Sequence, residues 1–248
     1  MLTEKRYELI LELLDKKRSV TVPEIKDVLG VSESTIRRDL NALDKAGRLT
    51  KVFGGAVSSD GTFTGTEPSV AQKMELQQEE KRRIAQFAAG LIQPDDFVYL
   101  DAGTTTGYIL DYLPVRSATF VTNAVSHAKR LAAAGNRVIL IGGELKGTTE
   151  AVIGSQAILT IQGYHFTKGF FGTNGVSKRH GFTTPDPNEA LVKQEAMRQT
   201  ERCYVLADSQ KFGMVSSVTF GVFEEATILT ETEPPEGFSG SKNIRVAK

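Results

Sequence analysis

The stretch Val31-Ser32-Glu33-Ser34-Thr35-Ile36-Arg37-Arg38-Asp39-Leu40 constrains the fold of this chain more than any other. Apolar residues at 36, 40 and 43 recur at helical spacing, leaving Ser34, Thr35, Arg37, Arg38 and Asn41 on the other side. Ser32 has the residue type and position of an N-cap. A helix of this kind fits the DNA major groove, where Arg can bond guanine through two hydrogen bonds and Ser or Thr can reach base edges or phosphates.

The flanking residues predict its partners. Tyr7, Ile10, Leu11 and Leu14 follow the i, i+3, i+4, i+7 pattern of a one-faced helix, closed by Lys16, Lys17 and Arg18. Thr21-Val22-Pro23-Glu24 reads as a capping box with proline in the first turn, followed by a short helix whose buried stripe is Ile25, Val28 and Leu29. Gly30-Val31 makes the turn and Gly47 ends the third helix. Leu49 to Phe53 is a short strand that returns through Gly54-Gly55-Ala56-Val57. The result is a winged helix-turn-helix over residues 1–57, with the helix-turn-helix at about 20–39. The expected DNA-contacting set is Thr21, Ser32, Ser34, Thr35, Arg37, Arg38, Asn41 and Lys51, where Lys51 is either a phosphate contact or a solvated surface lysine.

Lys and Arg total 30, as do Asp and Glu, so no net charge draws the chain to nucleic acid or a membrane and DNA binding has to rest on local placement. A lone Cys203 excludes an internal disulfide framework. No apolar signal core follows Met1, and nowhere do about 18 apolar residues run together. The expectation is a cytoplasmic protein, without a membrane partner, built from one small and one larger domain.

Residues 58–74 are polar and glycine-rich at their start and read as a linker. Gln72 to Arg83 is helix-prone and runs into Ile84, Phe87, Ala88 and Leu91, predicting one helix that begins the second domain, 75–248. From Phe97 onward short apolar runs alternate with helical patterns, the mark of an open parallel α/β sheet. Strands are expected at 97–100, 119–122, 138–141, 169–172 and 204–207, with weaker ones at 227–229 and 244–246.

Polar residues gather after these strands, where open α/β sheets bind ligands. Gly103-Thr104-Thr105-Thr106 offers amides and hydroxyls at a helix start, chemistry for a phosphate, the plainer alternative being that the threonines simply cap that helix. Lys211 can neutralise a phosphate; Asp101, Glu144 and Asp208 can accept from hydroxyls, or the last two can be surface charges. With Thr122, Asn123, Gly143 and Asn174 these form the expected effector set. P-loop and dinucleotide fingerprints are absent, and the scattered histidines and single cysteine offer no metal cluster, so neither cofactor nor metal is expected.

Ser32 to Leu40 together with Leu43, Gly47 and Gly54-Gly55-Ala56 resembles the N-terminal signature of the DeoR family of bacterial sugar-operon regulators. Phe53 stands where that family usually carries a basic or His residue. Asp101 to Thr106, Thr122-Asn123, Ile141 to Glu144, Gly172 to Gly175 and Asp208 to Lys211 resemble the family's sensor domain, whose fold is related to ribose-5-phosphate isomerase. The family more often shows Asp-x-Ser-Lys, so Gln210 matches only if Lys211 faces the pocket. The resemblance implies a homo-oligomeric repressor that binds double-stranded operator DNA and answers to a phosphorylated sugar. Thr183 to Ala190 is similar to members that regulate fructose operons, making fructose 1-phosphate the first candidate effector. A sugar-phosphate isomerase with an attached DNA-binding domain, or an activator using the same parts, is the alternative.

Overall fold

A computed structural model describes residues 3–247 apart from 18, 47, 53, 59–61, 64–69 and 114–117. The chain divides into two compact units, Met1–Thr62 and Phe63–Lys248. The roles expected of Gly47 and Phe53 fall outside the described residues.

The first unit holds α1 (Thr3–Lys17), β1 (Ser19–Thr21), α2 (Val22–Leu29), α3 (Glu33–Lys45), β2 (Leu49–Val52) and β3 (Gly55–Ser58). Ile10, Leu14, Ile25, Leu29, Ile36, Leu40 and Leu43 share one core. Val28 is a correction: it is 58% exposed, because the buried stripe of α2 runs through Val22, Ile25 and Leu29. Asp39, within the sequence that suggested a DNA reader, is buried and takes two hydrogen bonds from Arg6 of α1, Nε to Oδ2 at 2.6 Å and Nη2 to Oδ1 at 2.9 Å. It fastens α3 to α1.

The wing is a three-stranded antiparallel sheet, β1-β3-β2, rather than the two-stranded hairpin expected. Its Gly-Gly pair has two separate reasons. Gly54 sits at φ +83°, a turn conformation that L side chains rarely adopt. Gly55 faces β1 so closely that a Cβ would lie 2.1 Å from the Val20 carbonyl oxygen. Gly55→Ala is therefore expected to unzip β1 from β3 and lower the melting temperature of this unit; an unchanged melt would contradict the packing. Leu40, fully buried, is the simpler probe: Leu40→Ala should cost about 2–5 kcal/mol in chemical denaturation.

In sequence order the rest comprises β4 (Thr62–Phe63), α4 (Val70–Glu75), α5 (Gln78–Ala89), β5 (Phe97–Leu100), α6 (Thr104–Ile109), β6 (Thr119–Thr122), α7 (Val125–Ala133) and β7 (Arg137–Leu140). A hairpin, β8 (Glu144–Lys146) and β9 (Ala151–Ile153), precedes α8 (Ser155–Gln162), β10 (Phe166–Gly172), β11 (Gly175–Ser177), β12 (Gly181–Thr184) and α9 (Pro187–Arg198). Then come β13 (Thr200–Leu206), β14 (Met214–Val215), β15 (Val218–Gly221), β16 (Thr227–Thr230) and β17 (Ile244–Val246). The segment expected as linker thus carries β4 and α4. The single helix expected from Gln72 is broken at Leu76-Gln77, where Gln77 adopts φ 51°.

Seven parallel strands form the main sheet in the order β17-β16-β13-β10-β5-β6-β7. Alternation places side chains in two cores. Val98, Leu100, Phe120, Phe170, Leu206 and Leu229 enter one face; Tyr99, Val121, Phe171, Val205 and Ile228 enter the other. Burial on both faces explains why these strands read as short continuous apolar runs. A small antiparallel sheet, β11-β12-β15, was not expected from sequence. The chain winds outward from β5 to β7 and then resumes at β10 on the opposite side, so strand order reverses between β5 and β10. That reversal opens a crevice at their carboxyl ends.

Candidate functional site

On α3, Ser32 caps the helix by accepting from the Thr35 N–H at 3.3 Å, and its Oγ lies 2.9 Å from both Ser34 Oγ and Thr35 Oγ1. Ser34, Arg37, Arg38 and Asn41 are exposed beyond it. Arg37 reaches Glu33 of its own helix at 3.4 Å. Lys51 on the wing donates to Asn41 Oδ1 at 2.7 Å, so wing and helix present one connected polar surface. Thr21 is engaged instead as a cap: its Oγ1 accepts from the Glu24 N–H and donates to Glu24 Oε2 at 2.9 Å. The Thr21 N–H, donating to Glu24 Oε2 at 2.8 Å, then Lys17 and the Thr21 hydroxyl hold the Glu24 carboxyl down to about 2.

In the second unit, a cleft open to solvent lies at the strand-order reversal. Ala102, Gly103, Thr104 and Thr105 line it from the end of β5, and Gly172, Thr173 and Asn174 from the end of β10. Lys211 enters from the turn after β13, so the Asp208-Ser209-Gln210-Lys211 spacing does bring its lysine to the pocket. Thr149 and, from α9, Glu189 and Lys193 close another side. Val70, Lys73 and Lys81 complete the lining.

Several expected effector residues serve the frame. Asp101 is buried, accepts from the Gly172 N–H at 3.0 Å and pairs with the Lys193 ammonium, which also donates to the Gly172 carbonyl at 3.2 Å. Burial pushes its carboxyl above the ordinary range, against the pull of Lys193. Thr106 Oγ1 donates to the Asp101 and Gly103 carbonyls, tightening the loop from behind. Thr122 Oγ1 accepts from the Ala124 N–H. Asn123 is buried, accepting from the Ala102 N–H at 2.9 Å and donating to the Val152 carbonyl at 3.3 Å, which shapes the loop without reaching the cleft. Gly143 and Glu144 are exposed at the β8 hairpin and lie off the cleft, because β7 ends at the sheet edge, two strands from the reversal. Asp208 is buried, caps Gln210 at 3.1 Å and stands 4.0 Å from Lys211. Burial raises its carboxyl too. Finally, α6 is only six residues long, so loop amides and hydroxyls outweigh any helix dipole there.

The cleft's charge comes largely from residues that sequence reading passed over. Among the described lining residues, Lys73, Lys81, Lys193 and Lys211 stand with one carboxylate, Glu189, while Asp101 and Asp208 behind the lining lie next to Lys193 and Lys211. Glu189 Oε1 already accepts from Lys146 at 2.9 Å and Thr149 Oγ1 at 2.6 Å. Lys81 is buried; desolvation brings it from 10.5 down to about 8, despite nearby Asp208 and Glu80 and helped by Lys211 and Lys73. His127 is buried and neutral, its pKa lowered to about 4 by desolvation. Burial pushes the Cys203 thiol up to about 12, making it a poor nucleophile. Among the described residues no group of His, Cys, Asp or Glu could hold a metal ion, and no helix is long and apolar enough to cross a membrane.

Residues 6–62 match the DeoR-like helix-turn-helix domain and residues 76–232 the DeoR C terminal sensor domain. A protein named as the uncharacterized HTH-type transcriptional regulator FruR of Bacillus subtilis (strain 168) is 41% identical over all of this chain and 98% of its own length. The lactose phosphotransferase system repressor of Streptococcus mutans is 34% identical over 92% of each chain. Ribose 5 phosphate isomerase A from Neisseria gonorrhoeae overlays 55% of this chain and 54% of its own, at 14% identity and a TM-score of 0.42, a likeness too slight to speak for chemistry. Both matched domains are those of a regulator, which removes the isomerase alternative. The chain is a DNA-binding transcriptional regulator and belongs to the DeoR family.

Proposed function

We propose that the protein represses a sugar-uptake or catabolic operon and that a phosphorylated sugar in the cleft modulates its grip on operator DNA. The observation that carries this is the cleft at the strand reversal, where loop amides and threonine hydroxyls stand among four lysines and a single carboxylate. The Thr104-Thr105 loop with Lys211 and Lys81 suits a phosphate. Glu189, Thr173 and Asn174 suit sugar hydroxyls, since a carboxylate accepts from them and the amide can do both. Fructose 1-phosphate is the first candidate, on the likeness of Thr183 to Ala190 to fructose-operon regulators and the 41% identity to FruR. On the DNA side, Ser34, Arg37, Arg38 and Asn41 read bases or phosphates, and Lys51 meets the backbone. Paired copies are needed for a symmetric operator.

A thermal-shift series over sugar monophosphates tests the cleft, because a ligand that binds only the native state raises its melting temperature. A rise with a phosphorylated sugar and none with its unphosphorylated parent is expected; no rise with any would overturn the reading.

The same cleft sets a pH dependence. Lys81 is cationic below about 8 and loses its charge as pH rises through that value. Affinity for the sugar phosphate, measured by calorimetry, is expected to weaken between pH 7 and 9, and Lys81→Met should flatten the profile. Stability runs the other way: the unfolded chain keeps this proton to about 10.5, so between about 8 and 10.5 this group makes the native state more stable as pH rises.

A further inference from the structure

The helix α4 is short and partly exposed. It is six residues long, too short to persist alone, and Met74 and the following Leu76 are 49% and 56% exposed. The backbone breaks directly after it, at Gln77. Two of its ties are polar and lie around the cleft. The Val70 N–H donates to the Thr148 carbonyl at 3.4 Å, beside cleft-lining Thr149. The Lys81 ammonium, across the break on α5, donates to the Lys73 carbonyl. Val70, Lys73 and Lys81 line the same space as Thr104 and Lys211.

We propose that an anion held in this cleft clamps α4 to the sensor domain, with Lys73 from α4 and Lys81 from α5 closing on it from the two sides of the Leu76-Gln77 break. The clamp rests on the reading of the cleft as a sugar-phosphate site, adds Lys73 to that site and gives Lys81 a second role in it. An ammonium has three donors. Lys81 can therefore keep the Lys73 carbonyl and still donate to a phosphate, bridging the end of α4 and the ligand. Lys73 brings a second charge on α4 itself, so occupancy and the seating of α4 become one equilibrium. In chain order α4 is the first helix after the DNA-binding unit. The coupling needs no rearrangement of the main sheet, because the cleft floor is already tied by Asp101, Lys193 and Gly172.

Hydrogen–deuterium exchange of the full-length protein over residues 70–76, with fructose 1-phosphate, other sugar monophosphates and inorganic phosphate as probes, tests the clamp. Ligand is expected to slow exchange there roughly tenfold in the wild-type protein, as a shift in local opening. Lys73→Gln, at a half-buried position, should still show a thermal shift with the ligand while losing most of that slowing. Lys81→Met also removes a phosphate contact, so it should weaken binding and, once saturated, still lose the slowing; if it does not fold, Lys73→Gln decides. Lys211→Met, off α4, should weaken binding but keep the slowing once saturated. Binding without slowing in the wild type, or slowing that survives Lys73→Gln undiminished, would overturn the clamp and leave the sugar-phosphate site standing. No binding of any probe to the wild type overturns both.

Discussion

Arg37→Ala and Arg38→Ala should each cost roughly 1–3 kcal/mol of discrimination between operator and random duplex, and the double substitution should abolish selectivity. Both side chains are exposed on the helix face opposite Ile36, Leu40 and Leu43, so neither change touches the core. They are not equivalent in the free protein. Arg37 has Glu33 at 3.4 Å and must leave it to meet a base, which reduces its net gain. No such pair is seen for Arg38 among the described residues, so its loss is expected to be the larger. Lys51→Ala should act differently, weakening specific and random duplex alike and reducing the salt slope, as loss of a phosphate contact does. Binding curves at two salt concentrations separate the cases. Unchanged discrimination in the double variant would remove α3 as the reading helix.

Lys193→Met is expected to be the most damaging single change in the sensor domain. It leaves Asp101, 1% exposed, with its remaining bond to the Gly172 N–H and without its cation. Breaking a buried pair from one side costs about 3–5 kcal/mol. The same change loosens the crossing between the β5 and β10 loops, so effector binding should fall with stability. Adding Asp101→Asn removes the stranded charge and should recover much of the melting temperature without restoring full ligand affinity. Recovery of neither would mean that the pair matters for something other than charge balance; recovery of both would mean that Lys193 has no part in the ligand site.

These two sites differ in how far they were legible in sequence. The helical stripe at 36, 40 and 43 is local, and local periodicity reports burial directly; it is why α3 and its polar face could be placed. Val28 was misassigned because in an eight-residue helix Val22 competes for the same stripe. Continuous runs such as Phe97 to Leu100 marked the main strands, since burial on both faces leaves few polar interruptions. The three- and four-residue strands of the β11-β12-β15 sheet carry too little pattern to be seen. The helix break at Gln77 has no glycine or proline to announce it.

In the cleft, the loop at Gly103 to Thr105 and Lys211 were visible because they follow strands. Asp101 looked like a ligand contact for the same reason, yet its partner is 92 positions away on α9. Nothing near Asp101 in sequence indicates Lys193, and nothing in the pattern of α9 separates Glu189 and Lys193 from surface charges until the helix is seen packed against the loop. The signal available was their i, i+4 spacing, which puts both on one face. Lys73 and Lys81 were hidden by reading α4 and α5 as one charged helix.

The most direct measurement is operator affinity of the full-length protein, by fluorescence anisotropy at fixed salt on a duplex selected from a random pool, with and without saturating sugar monophosphate. A coupling free energy of about 1–3 kcal/mol gives a change of roughly 5- to 150-fold, with DNA altering sugar-phosphate affinity by the same factor. The unphosphorylated sugar should have no effect. An operator affinity that stays constant while calorimetry shows the cleft filled would contradict control of the DNA-binding helix by the sugar-phosphate cleft.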